Sequence, residues 1–233
     1  MNQKYDLSIK NLKIAVFDWD NTLAESRTAL VYSINQVLSE YGLQDWDIEK
    51  KKRDNNLSFK DNFINIFGSN ANEAYQKYRK KYLENTKKII TAFPKTHEVL
   101  FFLKKQGVLL MIMSNKERDL LEYELPCLFN PNIFDNIVCG HEATNDKPHA
   151  DHLFWTVKDV IKKEQINKEN VWVIGDSPQD SRCAQSAGAR AIRIGTPIWD
   201  EEEKQDDDTY FFDSFVDFYE SLLLSNSKMF KLK

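Results

Sequence analysis

Lys13-Ile14-Ala15-Val16-Phe17-Asp18-Trp19-Asp20-Asn21-Thr22 is a short apolar run that stops abruptly at two carboxylates. A strand buried on both faces reads this way where it leaves the edge of a parallel sheet. Runs of the same character recur at Val108 to Met113, Ile137 to Cys139, Val171 to Ile174 and Ala191 to Ile194. Helical patterns lie between them. Val99, Leu100, Phe102 and Leu103 share one side of a helix that Gly107 ends, and Gly188 closes a helix running from Asp180 to Ala187. Pro148 stands where a first helical position tolerates proline, ahead of Leu153, Phe154, Val157, Val160 and Ile161. Strands alternating with helices predict an α/β fold, a doubly wound Rossmann-like parallel sheet.

From Leu23 to Ala92 the pattern is helical throughout, with no convincing strand. Leu30, Ile34, Val37, Leu38 and Tyr41 keep helical spacing up to Gly42; Phe59, Phe63, Ile64 and Phe67 do so between Ser58 and Gly68; Tyr75, Tyr78 and Tyr82 follow. That is too long for a crossover. The expected organisation is a catalytic core made of residues 1–22 and 93–233, interrupted by a helical cap over 23–92. The basic runs Lys50 to Arg53 and Lys77 to Lys81 alternate with acids and read as solvated helix surface. Asp200 to Asp208 reads as an acidic loop before a Phe-rich stretch, Tyr210 to Leu224, that should pack on the core.

The 233 residues are 42% hydrophobic and 29% charged, a globular composition, and the net charge of −4 gives no general field for a nucleic-acid backbone. Nucleic acid is not expected as a partner. Cys127, Cys139 and Cys183 are scattered and lack a CxxC pair, so neither a disulfide framework nor a zinc site is suggested. No apolar run approaches the roughly 20 residues that span a bilayer. A cytoplasmic location is the resulting expectation; oligomeric state cannot be read.

The chemistry concentrates at strand ends. Asp18 and Asp20 stand two residues apart after the first strand, so alternation points them to one side. Phosphoryl transfer through a covalent intermediate needs an attacking oxygen, a proton donor for the leaving oxygen and cations around the developing charge. An isolated DxDxT also fits a turn or a helix cap. Ser114-Asn115-Lys116 follows the Val108 strand and places a hydroxyl and backbone N–H groups at the same edge, although a helix N-cap looks alike. Lys147 precedes a helix and offers a point charge. Gly175-Asp176-Ser177-Pro178-Gln179-Asp180 ends the Val171 strand with more carboxylates. Asp18 with Asp176 would form the open, carboxylate-poor site that Mg²⁺ prefers.

Taken together, DxDxT at Asp18, Ser114, Lys147-Pro148 and GDSxxD at 175–180 resemble the haloacid dehalogenase superfamily over nearly the whole chain. The likeness extends to Phe93-Pro94, to Phe134 through Val138, and to Asp180 through Ala189, a pattern similar to the phosphoglycolate phosphatase-like branch. The resemblance implies a Mg²⁺-dependent phosphatase acting on a small phosphate monoester. By it, Asp18 is the nucleophile that becomes an aspartyl-phosphate and a metal ligand. Asp20 is the acid and then the base, lending its carbonyl to the metal. Ser114 and Asn115 bind the phosphoryl group, Lys147 neutralises charge, Asp176 ligates the metal, Asp180 supports the metal water or Lys147, and Thr22 steadies the nucleophile loop. Asn21 stands where glycine is more frequent, and asparagine also tolerates the left-handed backbone. The segment Arg53 to Phe59 lacks the glycine-proline pattern of phosphoglycolate enzymes.

Other readings share these residues. A 2-haloacid dehalogenase would have no use for Asp20, because a halide leaves without a proton. A phosphosugar mutase would keep all four motifs, and a non-catalytic binding protein with this fold would be expected to have lost a carboxylate. Arg27, Arg53 and Lys60 are candidates for holding an anionic substrate tail. His149 and His152 lack a third metal ligand, Cys183 falls on the apolar side of its helix, and Trp19 should point away from the site and pack.

Overall fold

A computed structural model describes residues 5–46, 62–195 and 208–227. Six strands form one parallel sheet: β1 (Ile14–Phe17), β4 (Leu109–Met113), β5 (Asn136–Val138), β6 (Val171–Gly175), β7 (Arg190–Ile194) and β8 (Thr209–Phe212), in the order β5-β4-β1-β6-β7-β8. The chain therefore starts in the middle of the sheet and winds outward in both directions. A doubly wound sheet binds ligands where the winding reverses, at the carboxyl ends of the central strands. Here that point is the end of β1, flanked by β4 and β6.

Alternation along β1 feeds two cores. Ala15 and Phe17 face a layer made with α4 (Thr96–Lys105), α5 (Arg118–Leu128) and α8 (Phe215–Ser225), while Ile14 and Val16 face α6 (Ala150–Val157) and α7 (Pro178–Ser186). Both faces are covered, which is why the strand is apolar at every position. In α4 the residues Val99, Leu100, Phe102 and Leu103 are buried as their spacing predicts, and Gly107 follows with φ +81. Cys139 and Cys183 are buried and free.

The inserted helices α1 (Arg27–Glu40), α2 (Asn62–Phe67) and α3 (Ala71–Ile89) have an apolar cluster of their own, in which Ile34, Val37 and Leu38 meet Phe63, Phe67 and the stripe Tyr75, Tyr78 and Tyr82. Leu120 of α5 joins it from the sheet side. Lys77 pairs with Glu73 and Glu40, and Lys81 pairs with Glu40, as expected of a charged outer surface. Lys50 to Arg53, Lys60 and the acidic segment up to Asp207 lie outside the described residues.

Three expectations change. The insertion is not free of strand: β2 (Ala24–Glu25) pairs antiparallel with β3 (Thr91–Ala92), two residues each, where the chain enters and leaves the helices. Such short pairs carry no periodic signal. Ile64 is exposed, because the inward face of α2 is formed by Phe63 and Phe67 with Ile66 partly buried beside them. The helix expected at Pro148 begins at Ala150, after a cis Lys147-Pro148 peptide, and ends at Val157. The stretch from Tyr210 to Leu224 packs on the core as expected, and it does so as the edge strand β8 over Thr209 to Phe212 followed by the amphipathic α8, with Phe215, Phe218 and Leu222 in the core.

Candidate active site

The register sets the site before any side chain is considered. Phe17 lies opposite both Ile112 and Ile174, so Asp18 emerges level with Met113 and Gly175, and Ser114 and Asp176 follow one residue later on the neighbouring strands. Three segments distant in sequence thus end side by side.

Asp18 is buried, and both its oxygens are held: Lys147 Nζ donates to Oδ1 at 2.5 Å and Thr22 Oγ1 donates to Oδ2 at 3.1 Å. Lys147 Nζ also donates to Asp180 Oδ1 at 2.7 Å. An ammonium has three N–H donors, and these two bonds leave one for a further ligand. Asp180 in turn accepts from the backbone N–H and hydroxyl of Ser177 at 3.1 and 2.7 Å, which caps α7 and fixes the carboxylate. Room for it comes from Gly175, where any Cβ would run into the Asp180 carboxyl. Asn21 takes the left-handed backbone expected of it, with φ 59, and its amide donates to Asp176 Oδ2 at 2.6 Å.

The electrostatics of this cluster are unbalanced. Asp18, Asp176 and Asp180 each bring a carboxylate oxygen to within 4.8 Å of the others, and Lys147 is the cation that touches two of them. Burial pushes the Asp18 carboxyl up to about 7, with Lys147 opposing and Asp180 adding to the rise. Asp176 is driven well up by burial and by repulsion from Asp18 and Asp180. Although burial works against its charge, Lys147 is held above its usual value by Asp18 and Asp180. Crowded carboxylates with too little positive charge are what a divalent cation completes, and hard oxygen donors suit such an ion.

Ser114 is buried at the end of β4, its N–H donating to Val138 and its Oγ accepting from Lys116 N at 3.2 Å. The Asn115 side chain clamps the main chain of Lys147, its Oδ1 accepting from Lys147 N at 3.1 Å and its Nδ2 donating to Lys147 O at 2.9 Å. Asp20 is partly exposed, and its Oδ1 accepts from Ser26 Oγ at 2.6 Å and from Lys116 Nζ at 2.7 Å. Arg27, a candidate for a substrate tail, instead lines a cavity of about 850 Å³ with Lys81 and Asp45, and none of the residues above borders it.

Three residues have partners that the sequence does not show. His152 is completely buried, and its Nδ1 accepts from Lys147 N at 3.1 Å. Burial, aided by the Lys147 charge, pushes it down to about 3, so the ring is neutral. Lys116 and Glu124 form a buried pair beside Asp20, at 2.9 Å. Trp19 is buried as expected, yet its Nε1 donates to Glu124 at 2.6 Å. The hint available in sequence was a glutamate among the apolar positions of α5, too common a pattern to interpret.

Comparison with known proteins identifies the family. The model of the haloacid dehalogenase-like hydrolase family matches residues 15–194, which include all eight residues singled out in the motifs. Among curated proteins, the chain is 23% identical over 190 residues to the pyrophosphatase PpaX of Oceanobacillus iheyensis, covering 82% of this chain and 86% of that one. It is 25% identical over 194 residues to the phosphoglycolate phosphatase of Aquifex aeolicus, covering 77% and 83%. Among solved structures, CbbY from Rhodobacter sphaeroides in complex with phosphate superposes with a TM-score of 0.72 at 19% identity, covering 89% of this chain and 96% of that one. At that identity the likeness concerns the fold. The family match, by contrast, spans most of the chain and both ends of the site, and the chain belongs to the haloacid dehalogenase-like hydrolases.

Proposed function

We propose that this hydrolase is a Mg²⁺-dependent phosphatase that cleaves a small phosphate monoester through an aspartyl-phosphate on Asp18. The observation that carries the reading is the Lys147 ammonium bridging Asp18 and Asp180 at 2.5 and 2.7 Å, with Asp176 close enough to share an ion with both. The names of the relatives, a pyrophosphatase and a phosphoglycolate phosphatase, favour a small phosphorylated substrate.

An Asp18 carboxylate oxygen attacks phosphorus while the bond to the leaving oxygen breaks, and Asp20 delivers its proton to that oxygen. Water then attacks the aspartyl-phosphate, Asp20 takes the proton, and the bond between phosphorus and Asp18 is released. The third N–H of Lys147 and the Ser114 hydroxyl hold phosphoryl oxygens. Asn115, clamped on the Lys147 main chain, keeps that donor in place. Thr22 holds the nucleophile's second oxygen. Mg²⁺ bound to Asp18, Asp176 and the Asp20 carbonyl, with Asp180 behind it, would supply charge neutralisation between nucleophile and phosphate. Residues 23–92 act as the cap that excludes water over a core of 1–22 and 93–233.

The test is Mg²⁺-dependent phosphate release across a panel of phosphorylated metabolites, with a hexose phosphate product assay included. Asp18→Asn should lower release by about a thousandfold or more without unfolding the protein. Equal release by the variant and the parent refutes the mechanism.

A further inference from the structure

Lys116 stands at the centre of a buried network that the reaction outlined above does not use. Its side chain is 7% exposed, and its Nζ lies 2.7 Å from Asp20 Oδ1, 2.9 Å from Glu124 Oε2 and 2.9 Å from the Tyr82 hydroxyl. Three acceptors match the three N–H donors of an ammonium, so Lys116 has none left for a substrate oxygen. Lys147, with two bonds, has one. The two lysines of the site therefore cannot have the same task.

Glu124 is completely buried on α5, and it takes Trp19 Nε1 at 2.6 Å and Thr86 Oγ1 at 3.3 Å besides Lys116. Trp19 and Asp20 are consecutive, so one glutamate grips the nucleophile loop twice, directly through the indole and indirectly through Lys116. With Ser26 Oγ also donating to Asp20 Oδ1, that oxygen is pinned by two donors, and Oδ2 carries no bond to either. Tyr82 and Thr86 sit one turn apart on α3, so the inserted helix supplies two of the groups that fix this cluster. A buried ion pair is weak evidence for stability, since apolar residues of the same volume usually do as well, whereas fixing one geometry is its better-attested use. Burial opposes the Lys116 charge, but Asp20 and Glu124 keep it a cation.

We propose that Lys116 is a positioning residue for the proton-transfer carboxylate Asp20, held by Glu124 from the core and by Tyr82 from the inserted helix α3. The proposal rests on the acid role given to Asp20 above, and the test separates the two.

Rates are measured on phenyl phosphate and p-nitrophenyl phosphate, whose leaving groups differ in their need for a proton. Lys116→Met should lower kcat on phenyl phosphate by roughly tenfold to a hundredfold, part of the 10²–10⁴ that general acid catalysis supplies. KM should stay within about threefold, because an ammonium with no free donor makes no substrate contact. The loss should be smaller on p-nitrophenyl phosphate. On an Asp20→Asn background the same change should add nothing, as expected when two residues act through one group. Unchanged kcat, a loss confined to KM, or the full loss repeated on the Asp20→Asn background overturns the proposal. If Asp20→Asn itself keeps the parent rate, the acid role fails instead. Should Lys116→Met not fold, Glu124→Gln, which keeps the volume and weakens the hold on Lys116, decides on the same readings: a kcat loss that depends on Asp20 supports the proposal and a parent-like kcat overturns it.

Discussion

His152 is one turn into α6 with its ring sealed from solvent, and acid should find it. Its folded pKa of about 3 lies below the 6.5 of the exposed ring, so the fold favours the neutral form. A group shifted this way contributes stability above pH 6.5 and withdraws it as pH falls from 6.5 toward 3, because the unfolded chain takes a proton that the folded chain refuses. Each pH unit in that window costs about 1.4 kcal/mol. Between pH 7.5 and 5.5 the loss from this one ring is therefore about 1.4 kcal/mol, since the upper unit lies above the window. His152→Gln keeps an acceptor for Lys147 N and has nothing to titrate. Urea unfolding of both proteins at the two pH values, with a chelator present, measures the difference. Asp18 works the other way: its pKa of about 7 exceeds the unfolded value, so its contribution is lost as pH rises through 7, equally in both proteins. It cancels in the comparison. A parent protein that loses no more stability than His152→Gln would show that the ring accepts a proton inside the fold, and the reasoning from burial would be wrong.

Magnesium at about a hundred times its dissociation constant should stabilise the parent by about 2.7 kcal/mol. Asp176→Asn should lose most of that gain, as read by thermal melting with and without the ion. Gly175→Ala should cost about 1–3 kcal/mol, the usual range for overpacking, because the added methyl meets the Asp180 carboxyl. It should also lower phosphate release, since Asp180 holds Lys147; a variant with parent-like melting and turnover contradicts the packing. Thr22→Val removes one donor to Asp18 and should destabilise by about 0.5–1.5 kcal/mol while reducing kcat more than it raises KM.

Much of the fold could be read from the chain because its signals are local. β1, β4, β6 and β7 are runs buried on both faces, and α4 and α7 between them are closed by glycines in the left-handed region, Gly107 and Gly188. Asp18, Ser114 and Asp176 were legible for the same reason, since each follows its strand within two residues. Partnerships formed across the fold were hidden. Glu124 meets Trp19 from 105 residues away, and Asn115 meets Lys147 from 32. β8 was missed because a short strand at the sheet edge, followed closely by a helix, lacks the length for a period to show. His152 was rightly set aside as a metal ligand, but its service to the main chain of Lys147 could not be read from the sequence.

The ribbon of β2 and β3 brings Ala24 and Ala92 opposite each other, about 5 Å apart as paired strands are. A segment whose two ends meet can be exchanged as a single piece, because a tight turn would close the gap without moving the central strands. Swapping the intervening helices for those of a relative, with the joins placed in this ribbon, would leave Asp18, Lys147 and Asp176 on their own strands and loops and would show directly whether substrate preference travels with the helices. Such an exchange would have to keep Tyr82 and Thr86, which α3 contributes to the network around Lys116 and Glu124.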